Sequence, residues 1–376
     1  MDMIKEEQVC ISDLPWKKSI KSHSLHSICS RICSFPPALV RHFILNYSDE
    51  ADIVFDPFSG KGTLPLEALI CGRIGYGNDV SPEAYILTKA KCSRINKKRL
   101  FYLLNQIKKE MGFIKSVNNV DEKIRTFYSD FTLKQILEIK EILKNSNSKY
   151  SIFIKALLLG IIHGASSYSL SLRCSHSYSM SPNYVKNYAK KHNLIRPERD
   201  VIECLKQKAS VCLKDPFPNI QGKAFDFDSR KIKLKDNSIN LIISSPPYFG
   251  IQTYAYDNWL RLWFLGYDYK DVSKMQVNSN SNEIYGDFMF QSLKEMYRVL
   301  KPNSHCFIIV GDVKKKTSKG HIIVNTAKFI ENFANHVGFS TEEVIVDNIP
   351  QTKKVLNSSL CSVGICTERI LHLKKN

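Results

Sequence analysis

The chain has 376 residues, 43% of them hydrophobic, which suits one large α/β domain with an insertion, or two domains, and excludes a wholly disordered chain. Lysine and arginine number 54 against 36 aspartates and glutamates, so the formal net charge is +18. Residues 89–215 hold 25 basic and 10 acidic side chains, a local excess of 15. Such a block favours a polyanionic partner, and nucleic acid more than an anionic membrane surface.

Targeting and metal signals are weak. No apolar run reaches the roughly 18–20 residues of a membrane span, and residues 151–165 indicate a buried helix instead. The N-terminus is charged and lacks the apolar core of a signal peptide. The eleven cysteines form no CxxC pair and have no histidine at zinc-finger spacing. We therefore expect buried free thiols, no metal site and a cytoplasmic protein.

The first predicted elements form a βαβ start. Residues 52–56 predict a buried strand that ends in a Gly-rich turn, residues 64–72 a helix and residues 73–80 a second strand. Residues 100–163 and 198–213 then show mainly helical patterns. The Ser- and Tyr-rich stretch between them, 164–184, has few hydrophobic anchors and predicts an ordered loop or a contact surface.

The α/β pattern resumes after the helical region. The predicted strands are 222–228, 239–244, 304–313, 342–348 and 367–374, and the predicted helices are 287–300 and 322–337. The simplest architecture is an α/β fold with one mostly parallel sheet, interrupted by a basic helical insertion. We divide the chain into residues 1–99 with the first half of the sheet, the insertion 100–221, and residues 222–376 with the second half.

The turn DPFSGKGT, residues 56–63, carries the first binding signal. Asp56 ends a strand, and Gly60 and Gly62 allow a ligand to approach the backbone at the carboxyl edge of the sheet. The spacing matches neither GxxxxGK[ST] nor GxGxxG, which argues against a ligand with a phosphate chain. Asp79, at the end of the second strand, can accept both ribose hydroxyls, and Asp228 can accept from an adenine amino group. These features suit S-adenosylmethionine.

The stretch LIISSPPYFG, residues 241–250, carries the catalytic signal. Neither proline has an N–H for the ladder, so the strand must end there. Ser245 offers a hydroxyl oxygen beside a backbone carbonyl, Pro246 and Pro247 hold these acceptors rigidly, and Tyr248 presents a flat ring. Two acceptors and a ring suit the exocyclic amine of cytosine or adenine. They would favour direct attack on a sulfonium methyl without a covalent enzyme intermediate.

Together these stretches resemble the motifs of the amino-methylating, S-adenosylmethionine-dependent DNA methyltransferases. DPFSGKGT resembles their cofactor motif and SSPPY their catalytic motif. SFPPALVRHFI (34–44), residues 228–248 and EMYRVLKPNSHCFIIVGD (295–312) resemble neighbouring motifs, so that about half of the chain is covered. The resemblance implies a Rossmann-like methyltransferase fold. The cofactor-binding residues that it implies are Phe35, Pro37, Asp56, Pro57, Phe58, Gly60, Gly62, Thr63, Asp79 and Asp228.

The resemblance also implies a substrate. Ser245, where other members carry Asp or Asn, is the form associated with methylation of cytosine N4 in double-stranded DNA, with Ser245, Pro246, Pro247 and Tyr248 as the catalytic residues. The target base would have to leave the duplex, and aromatic residues of 248–259 could line its pocket. The basic segment between the two motifs implies target recognition at 100–221. The candidate DNA contacts there are Arg173, His176, Tyr178, Tyr184, Lys186 and Lys190.

Four alternatives stay open to different degrees. Adenine-N6 methylation is the nearest, because Ser245 can serve either amine. An RNA guanine-N2 methyltransferase shares DPF and PPY motifs, but its usual N-terminal RNA-binding domain has no room in about 30 residues. A DNA-binding protein without activity is a third. Cytosine-5 methylation is disfavoured because none of the 14 prolines precedes a cysteine. We expect a single-chain enzyme that needs no metal, with a cognate restriction endonuclease as a partner to consider.

Overall fold

The computed structural model describes residues 14–17, 20–31, 34–174, 181–249, 254–277, 281–317, 320–348 and 367–376. The strands are β1 (Ile53–Asp56), β2 (Ile74–Asn78), β3 (Lys223–Phe225), β4 (Ile239–Ser244), β5 (Leu300–Gly311), β6 (Val313–Thr317), β7 (Gly320–Val324), β8 (Phe339–Asn348) and β9 (Thr367–Lys375). The helices before β3 are α1 (Pro37–Tyr47), α2 (Thr63–Ile70), α3 (Pro82–Cys92), α4 (Lys97–Glu110), α5 (Glu122–Arg125), α6 (Asp130–Leu143), α7 (Lys149–Ile161), α8 (Pro182–Lys191) and α9 (Val201–Cys212). Those after β4 are α10 (Tyr254–Asp257), α11 (Trp259–Leu265), α12 (Tyr269–Met275), α13 (Asn282–Val299) and α14 (Thr326–Val337), and short 3-10 turns occur at Pro15–Lys17 and Ser24–Ser27.

Seven strands form one sheet in the order β3-β2-β1-β4-β5-β9-β8. The five strands β3, β2, β1, β4 and β5 run parallel, whereas β9 pairs antiparallel with both β5 and β8. Strands β6 and β7 form a separate antiparallel hairpin. The predicted mostly parallel α/β fold is therefore confirmed, and the two antiparallel edge pairings are the part that the repeating pattern did not indicate.

The strand order creates a switch point between β1 and β4. These two strands lie side by side, with Val54 opposite Leu241 and Phe55 opposite Ile242. The chain leaves β1 towards β2 on one side and returns to β4 on the other, after the insertion. In open α/β sheets, ligands bind outside the carboxyl ends of strands at such a point. The turn after β1 and the Ser-Pro-Pro-Tyr corner after β4 are both placed there.

The insertion helices pack against the sheet half of the molecule. Helix α7, the apolar helix predicted at 151–165, is buried along most of its length, which suits a helix enclosed on several sides. Its side chains share one hydrophobic cluster with Leu87 of α3, Leu205 of α9 and Leu260 of α11. Arg261 of α11 links this helix to α7 and to the N-terminal segment, because its buried guanidinium donates hydrogen bonds to the backbone oxygens of Leu159 and Ser30. The division of the chain at residues 99 and 221 stays a prediction.

The structure corrects several predicted elements. Helix α14 begins at Thr326 rather than at 322, because residues 320–324 form β7 of the hairpin. Helix α3 was not predicted: most of its residues are buried, so it lacks the polar face that marks an amphipathic helix. Helix α8 was also not predicted, and its first residues fall within the stretch 164–184 that was interpreted as a loop. Val185 is its one buried residue, so the sequence shows only a weak apolar pattern there.

Two expectations drawn from composition can be compared with the structure. The seven cysteines in the described ranges are all free, and six of them are buried; the other, Cys71, is half-buried. None of the helices in the part of the chain that the structure describes is long and apolar enough to cross a bilayer.

Candidate active site

A single cleft at the carboxyl ends of β1, β2 and β4, here called the strand-tip pocket, joins the two motifs. It encloses about 1020 Å³ with its solvent-open mouth included. The predicted site residues that line it are Phe35, Pro57, Phe58, Gly60, Thr63, Asp79, Asp228, Ser245, Pro246, Pro247 and Tyr248. The turn and the corner, far apart in sequence, thus face one cavity.

Three predicted cofactor residues do not line the strand-tip pocket. Asp56 is fully buried at the end of β1, behind the cavity wall. Gly62 is the N-cap of α2 with φ 71°. A Cβ on Gly62 would lie 2.9 Å from the Thr88 Cα, so glycine is required for the turn to pack on α3. Pro37 is the first residue of α1, where proline is well tolerated.

Asp56 links the two motifs directly. Its Oδ1 accepts from the Phe58 N–H at 3.0 Å and from the Ser244 hydroxyl at 2.5 Å. Its buried Oδ2 has no hydrogen-bond partner within the described residues. Burial raises the pKa of Asp56 to about 7, against the lowering effect of the two hydrogen bonds. The carboxyl is therefore poised to ionise near neutral pH.

Asp79 lies where the sequence predicts it, at the pocket wall after β2. Its carboxylate accepts from the Gly60 N–H at 2.9 Å and from the Ser81 N–H at 3.0 Å, and Arg31 Nη1 is 3.9 Å away. Burial raises the pKa of Asp79, and these three neighbours work in the opposite direction. The carboxylate thus braces the Gly-rich turn. Its predicted role towards a ribose is not tested by these contacts.

Asp228 has a partner that was not anticipated. Its carboxylate forms a bidentate pair with Arg230, at 3.0 Å from Nε and 2.7 Å from Nη2. This guanidinium holds the pKa of Asp228 below its usual range. Arg230 in turn lies 5.9 Å from the centre of the Phe288 ring, and Phe288 and Phe58 are 5.8 Å apart. The expected acceptor for an adenine amine is therefore part of a charged and aromatic wall.

The Ser-Pro-Pro-Tyr corner is held by its backbone and by Tyr248. The Pro247 carbonyl accepts from the Tyr285 hydroxyl at 3.0 Å, and the Tyr248 N–H donates to the Tyr254 oxygen at 3.4 Å. The Tyr248 hydroxyl donates to Glu368 Oε1 at 3.3 Å. In the described part of the chain, the Ser245 hydroxyl forms no hydrogen bond. The corner thus keeps one polar side-chain oxygen available beside a fixed ring.

Several pocket residues were missed from the sequence. Arg31 and Lys61 line the pocket, and Asn78 holds two of its walls by donating to the carbonyls of Pro57 and Phe227. Lys61 lies between Gly60 and Gly62, and the glycine spacing of this turn gives no separate signal for a lysine. Glu368 had no signal, because it lies in β9, 120 residues from its partner Tyr248.

None of the predicted DNA contacts that the structure describes lines the strand-tip pocket. Arg173 is exposed, and Tyr184, Lys186 and Lys190 are exposed on α8, whereas His176 and Tyr178 fall outside the described residues. Along α8, the rings of Tyr184 and Tyr188 stack at 5.8 Å. Lys186 forms an exposed ion pair of 3.4 Å with Glu122. These residues form a basic, aromatic surface, not a wall of the pocket.

Comparison with protein families assigns much of the chain. A family model described as DNA methylase, of the N6/N4 methyltransferase type, matches residues 8–90 and 239–376, more than half of the chain. The matched parts contain both motifs of the strand-tip pocket, and the unmatched interval, residues 91–238, runs from the end of α3 through the helical insertion into the start of the second half.

Curated relatives are Type II methyltransferases. M.MjaII of Methanocaldococcus jannaschii is 31% identical over 36% of this chain and 28% of its own length. M.MvaI of Kocuria varians is 24% identical over 66% of this chain and 59% of its own length. M.BsoBI of Geobacillus stearothermophilus is 24% identical over 74% and 60%. The chain therefore spans between 28% and 60% of the length of these relatives.

Solved structures show more distant similarity. An S-adenosylmethionine-dependent methyltransferase of Methanosarcina mazei has a TM-score of 0.35 and 10% identity, covering 89% of this chain and 96% of that one. TrmN of Thermus thermophilus has a TM-score of 0.35 and 11% identity, covering 94% of this chain and 52% of that one.

Proposed function

The chain belongs to the family of DNA methylases, and on that premise we propose that it transfers a methyl group from S-adenosylmethionine to the N4 amine of cytosine in double-stranded DNA. One observation carries the proposal. The cofactor motif and the Ser-Pro-Pro-Tyr corner face a single pocket and are joined by the hydrogen bond from Ser244 to Asp56. The assignment to cytosine N4 depends on the serine at position 245.

The residues of the strand-tip pocket fit the proposed cofactor. The buried Thr63 Oγ1, on the pocket wall, has no hydrogen-bond partner within the described residues. A buried polar group without a partner is costly, so such atoms indicate a missing ligand or water. The aromatic walls formed by Phe58 and Phe288 suit a planar base, and Asp79, also on the pocket wall, would accept the ribose hydroxyls. S-adenosylmethionine would supply a sulfonium methyl group there.

Ser245 and the corner backbone would prepare the target amine. The Ser245 hydroxyl and one carbonyl would each accept one of the two amine protons. Because the Pro247 carbonyl already accepts from Tyr285, the carbonyl of Ser245 or Pro246 is the better candidate. These acceptors would draw the nitrogen lone pair out of conjugation. S-adenosylmethionine would supply the methyl group: the N–C bond would form as the C–S bond breaks, the C–S electron pair would stay on sulfur, and the amine would lose one proton to water.

Tyr248 would hold the base. Its ring lines the pocket while its hydroxyl is tied to Glu368, which limits rotation of the ring. A base inside a duplex cannot reach this depth, so the target cytosine would have to be flipped out of the stack. Stacking on an aromatic side chain contributes about 1–3 kcal/mol per base in single-stranded complexes, which would offset part of the cost of unpairing.

Target recognition is proposed for residues 100–221. The basic excess of this interval suits phosphate binding, and α8 offers exposed Lys190 with the stacked rings of Tyr184 and Tyr188. Arg173 and Lys186 extend the same set of exposed basic side chains. A cognate restriction endonuclease is a proposed partner, in line with the Type II names of the relatives.

Nucleoside analysis tests the proposal. The purified chain is incubated with unmethylated duplex DNA and methyl-labelled S-adenosylmethionine, and the digested nucleosides are separated. N4-methylcytosine is expected. N6-methyladenine alone would overturn the choice of base while keeping the family. In a parallel incubation with RNA, methylation of the RNA but not of the DNA would overturn DNA as the substrate. A chain that binds no S-adenosylmethionine would be a DNA-binding protein without activity.

Variants of the corner test the assigned residues. Ser245→Ala and Tyr248→Ala should each lower kcat about 100-fold or more, consistent with the loss of a group that acts in the transition state. Cofactor affinity should be retained, because neither side chain is assigned to the cofactor. The matched control is Ser210→Ala, on the exposed face of α9. Full activity in both corner variants would refute the assignment.

A further inference from the structure

Three cationic side chains line the strand-tip pocket: Arg31, Lys61 and Arg230. Two of them have a carboxylate partner in the chain. Arg31 pairs with Glu83 at 3.2 Å, and Arg230 pairs with Asp228 at 2.7 Å. Lys61 has neither a hydrogen bond nor an ion pair with any described residue. It is therefore the pocket cation whose charge the described part of the chain leaves uncompensated.

The surroundings of Lys61 make this charge costly. Burial lowers the pKa of Lys61, and the nearby guanidinium of Arg31 lowers it further. Lys61 is half-buried, and an ammonium group partly removed from water without a counter-charge is unfavourable. An anion in the pocket would relieve both effects at once. The position of Lys61, between Gly60 and Gly62 in the turn, brings its backbone to the start of α2.

The neighbouring polar groups also suit an anion. Thr63, the first residue of α2, has a buried hydroxyl with no hydrogen-bond partner within the described residues. This hydroxyl can donate to an oxygen ligand. The start of a helix also carries partial positive charge from its free N–H groups. A lysine, a hydroxyl and a helix start together favour a small oxyanion, such as a carboxylate.

The proposed cofactor carries one such group. S-adenosylmethionine has a single anionic group, the α-carboxylate of its amino-acid end. We propose that Lys61 binds this carboxylate, with the Thr63 hydroxyl as a second donor, so that Lys61 is a cofactor-binding residue of this chain. The inference rests on the proposed function, because it presupposes that S-adenosylmethionine occupies the strand-tip pocket.

Calorimetric titration with two ligands tests the inference. S-adenosylmethionine and its decarboxylated analogue share every group except the carboxylate. The wild-type chain should bind S-adenosylmethionine about 10- to 100-fold more tightly, the range for one charge-assisted hydrogen bond. Lys61→Met should lose most of this preference by weakening S-adenosylmethionine alone. Lys294→Met, an exposed lysine of α13, is the control and should retain it.

Other outcomes separate the inference from the proposed function. If wild type binds S-adenosylmethionine but does not prefer it over the analogue, or if Lys61→Met weakens both ligands equally, the role of Lys61 is refuted while the function stands. If wild type binds neither ligand, both are refuted. Lys61→Arg should restore part of the preference. This rescue, with unchanged thermal melting of the apo chains, excludes misfolding as the cause of the loss.

Discussion

The Ser244 hydroxyl donates a hydrogen bond of 2.5 Å to Asp56 Oδ1, across 188 residues of sequence. The contact is possible because β1 and β4 are neighbours and both end at the strand-tip pocket. Ser244 is thus a structural serine, and Ser245, the next residue, is the one that lines the cavity. Ser244 therefore holds the two strand ends together, whereas Ser245 is the proposed acceptor for the target amine.

Asp56→Asn should change how stability depends on pH. Burial raises the folded-state pKa of Asp56 from 3.8 to about 7. Folding therefore favours the protonated form of Asp56. The protonated carboxyl contributes fully to the free energy of unfolding below pH 3.8, and this contribution is lost as the pH rises to about 7. Over that window, the free energy of unfolding of wild type should fall by a few kcal/mol relative to Asp56→Asn.

Thermal melts of both proteins without cofactor, in buffers between the two pKa values of Asp56, measure this difference. Above about pH 7, the melting temperatures of wild type and Asp56→Asn should change with pH in parallel. A difference in melting temperature that is constant from acid to neutral pH would mean that Asp56 ionises normally.

The hydrogen bond between Tyr248 and Glu368 should matter for turnover. Tyr248→Phe keeps the ring and removes the 3.3 Å bond, which is worth about 0.5–1.5 kcal/mol. We expect kcat to fall roughly 2- to 10-fold, with the Kd for cofactor unchanged. Glu368→Ala should have a similar effect, and the double variant should be no worse than either single one. Effects that simply multiply would show that the two residues act independently.

Gly160→Ala should destabilise the protein, although alanine is the better helix former. A Cβ at Gly160 in α7 would lie 1.8 Å from the backbone oxygen of Ile28. In an exposed helix this exchange stabilises by about 0.5–1 kcal/mol. Here relief of the overlap should cost about 1–3 kcal/mol and lower the melting temperature by several degrees. Ser210→Ala, an exposed helix position, should leave it nearly unchanged; equal behaviour of the two would refute the close packing.

Lys190→Gln should weaken DNA binding in a salt-dependent way. If Lys190 on α8 contacts a phosphate, its loss removes about one released counterion. The slope of log affinity against log salt concentration should become shallower by about 1. Fluorescence anisotropy with a labelled duplex measures this. Lys294→Gln on α13 serves as the charge-matched comparison, and an identical slope change in both variants would show only a general effect of net charge.

The two strands that carry the site were predictable because the residues that specify each strand and the turn after it are adjacent in sequence. A short apolar strand followed by glycines or prolines gave β1 and β4 to within a residue, and their shared pocket followed from the rule for parallel sheets. The Asp228–Arg230 pair was also within reach, since the two residues are only two positions apart. It was missed because Asp228 was considered only as a ligand acceptor.

Long-range partners were not predictable. The contacts of Tyr285 with Pro247 and of Glu368 with Tyr248 join residues 38 and 120 positions apart, and they depend on the placement of α13 and β9. Neither residue type is unusual in its own stretch. For α8, a helix-start signal did exist, because Ser181 caps the Tyr184 N–H and is followed by Pro182. This helix start was not recognised because it lies in the Ser- and Tyr-rich stretch that was interpreted as a loop.

The segment 23–31 belongs to both parts of the molecule. Ser24 exchanges hydrogen bonds with Asp215 just after α9, Lys208 of α9 donates to the Ser27 carbonyl, and Arg31 reaches the pocket wall. A chimaera that exchanged only residues 100–221 with those of a relative would deprive Ser24 and Ser27 of their partners Asp215 and Lys208. Any exchange of the helical insertion should therefore include residues 23–31 as well.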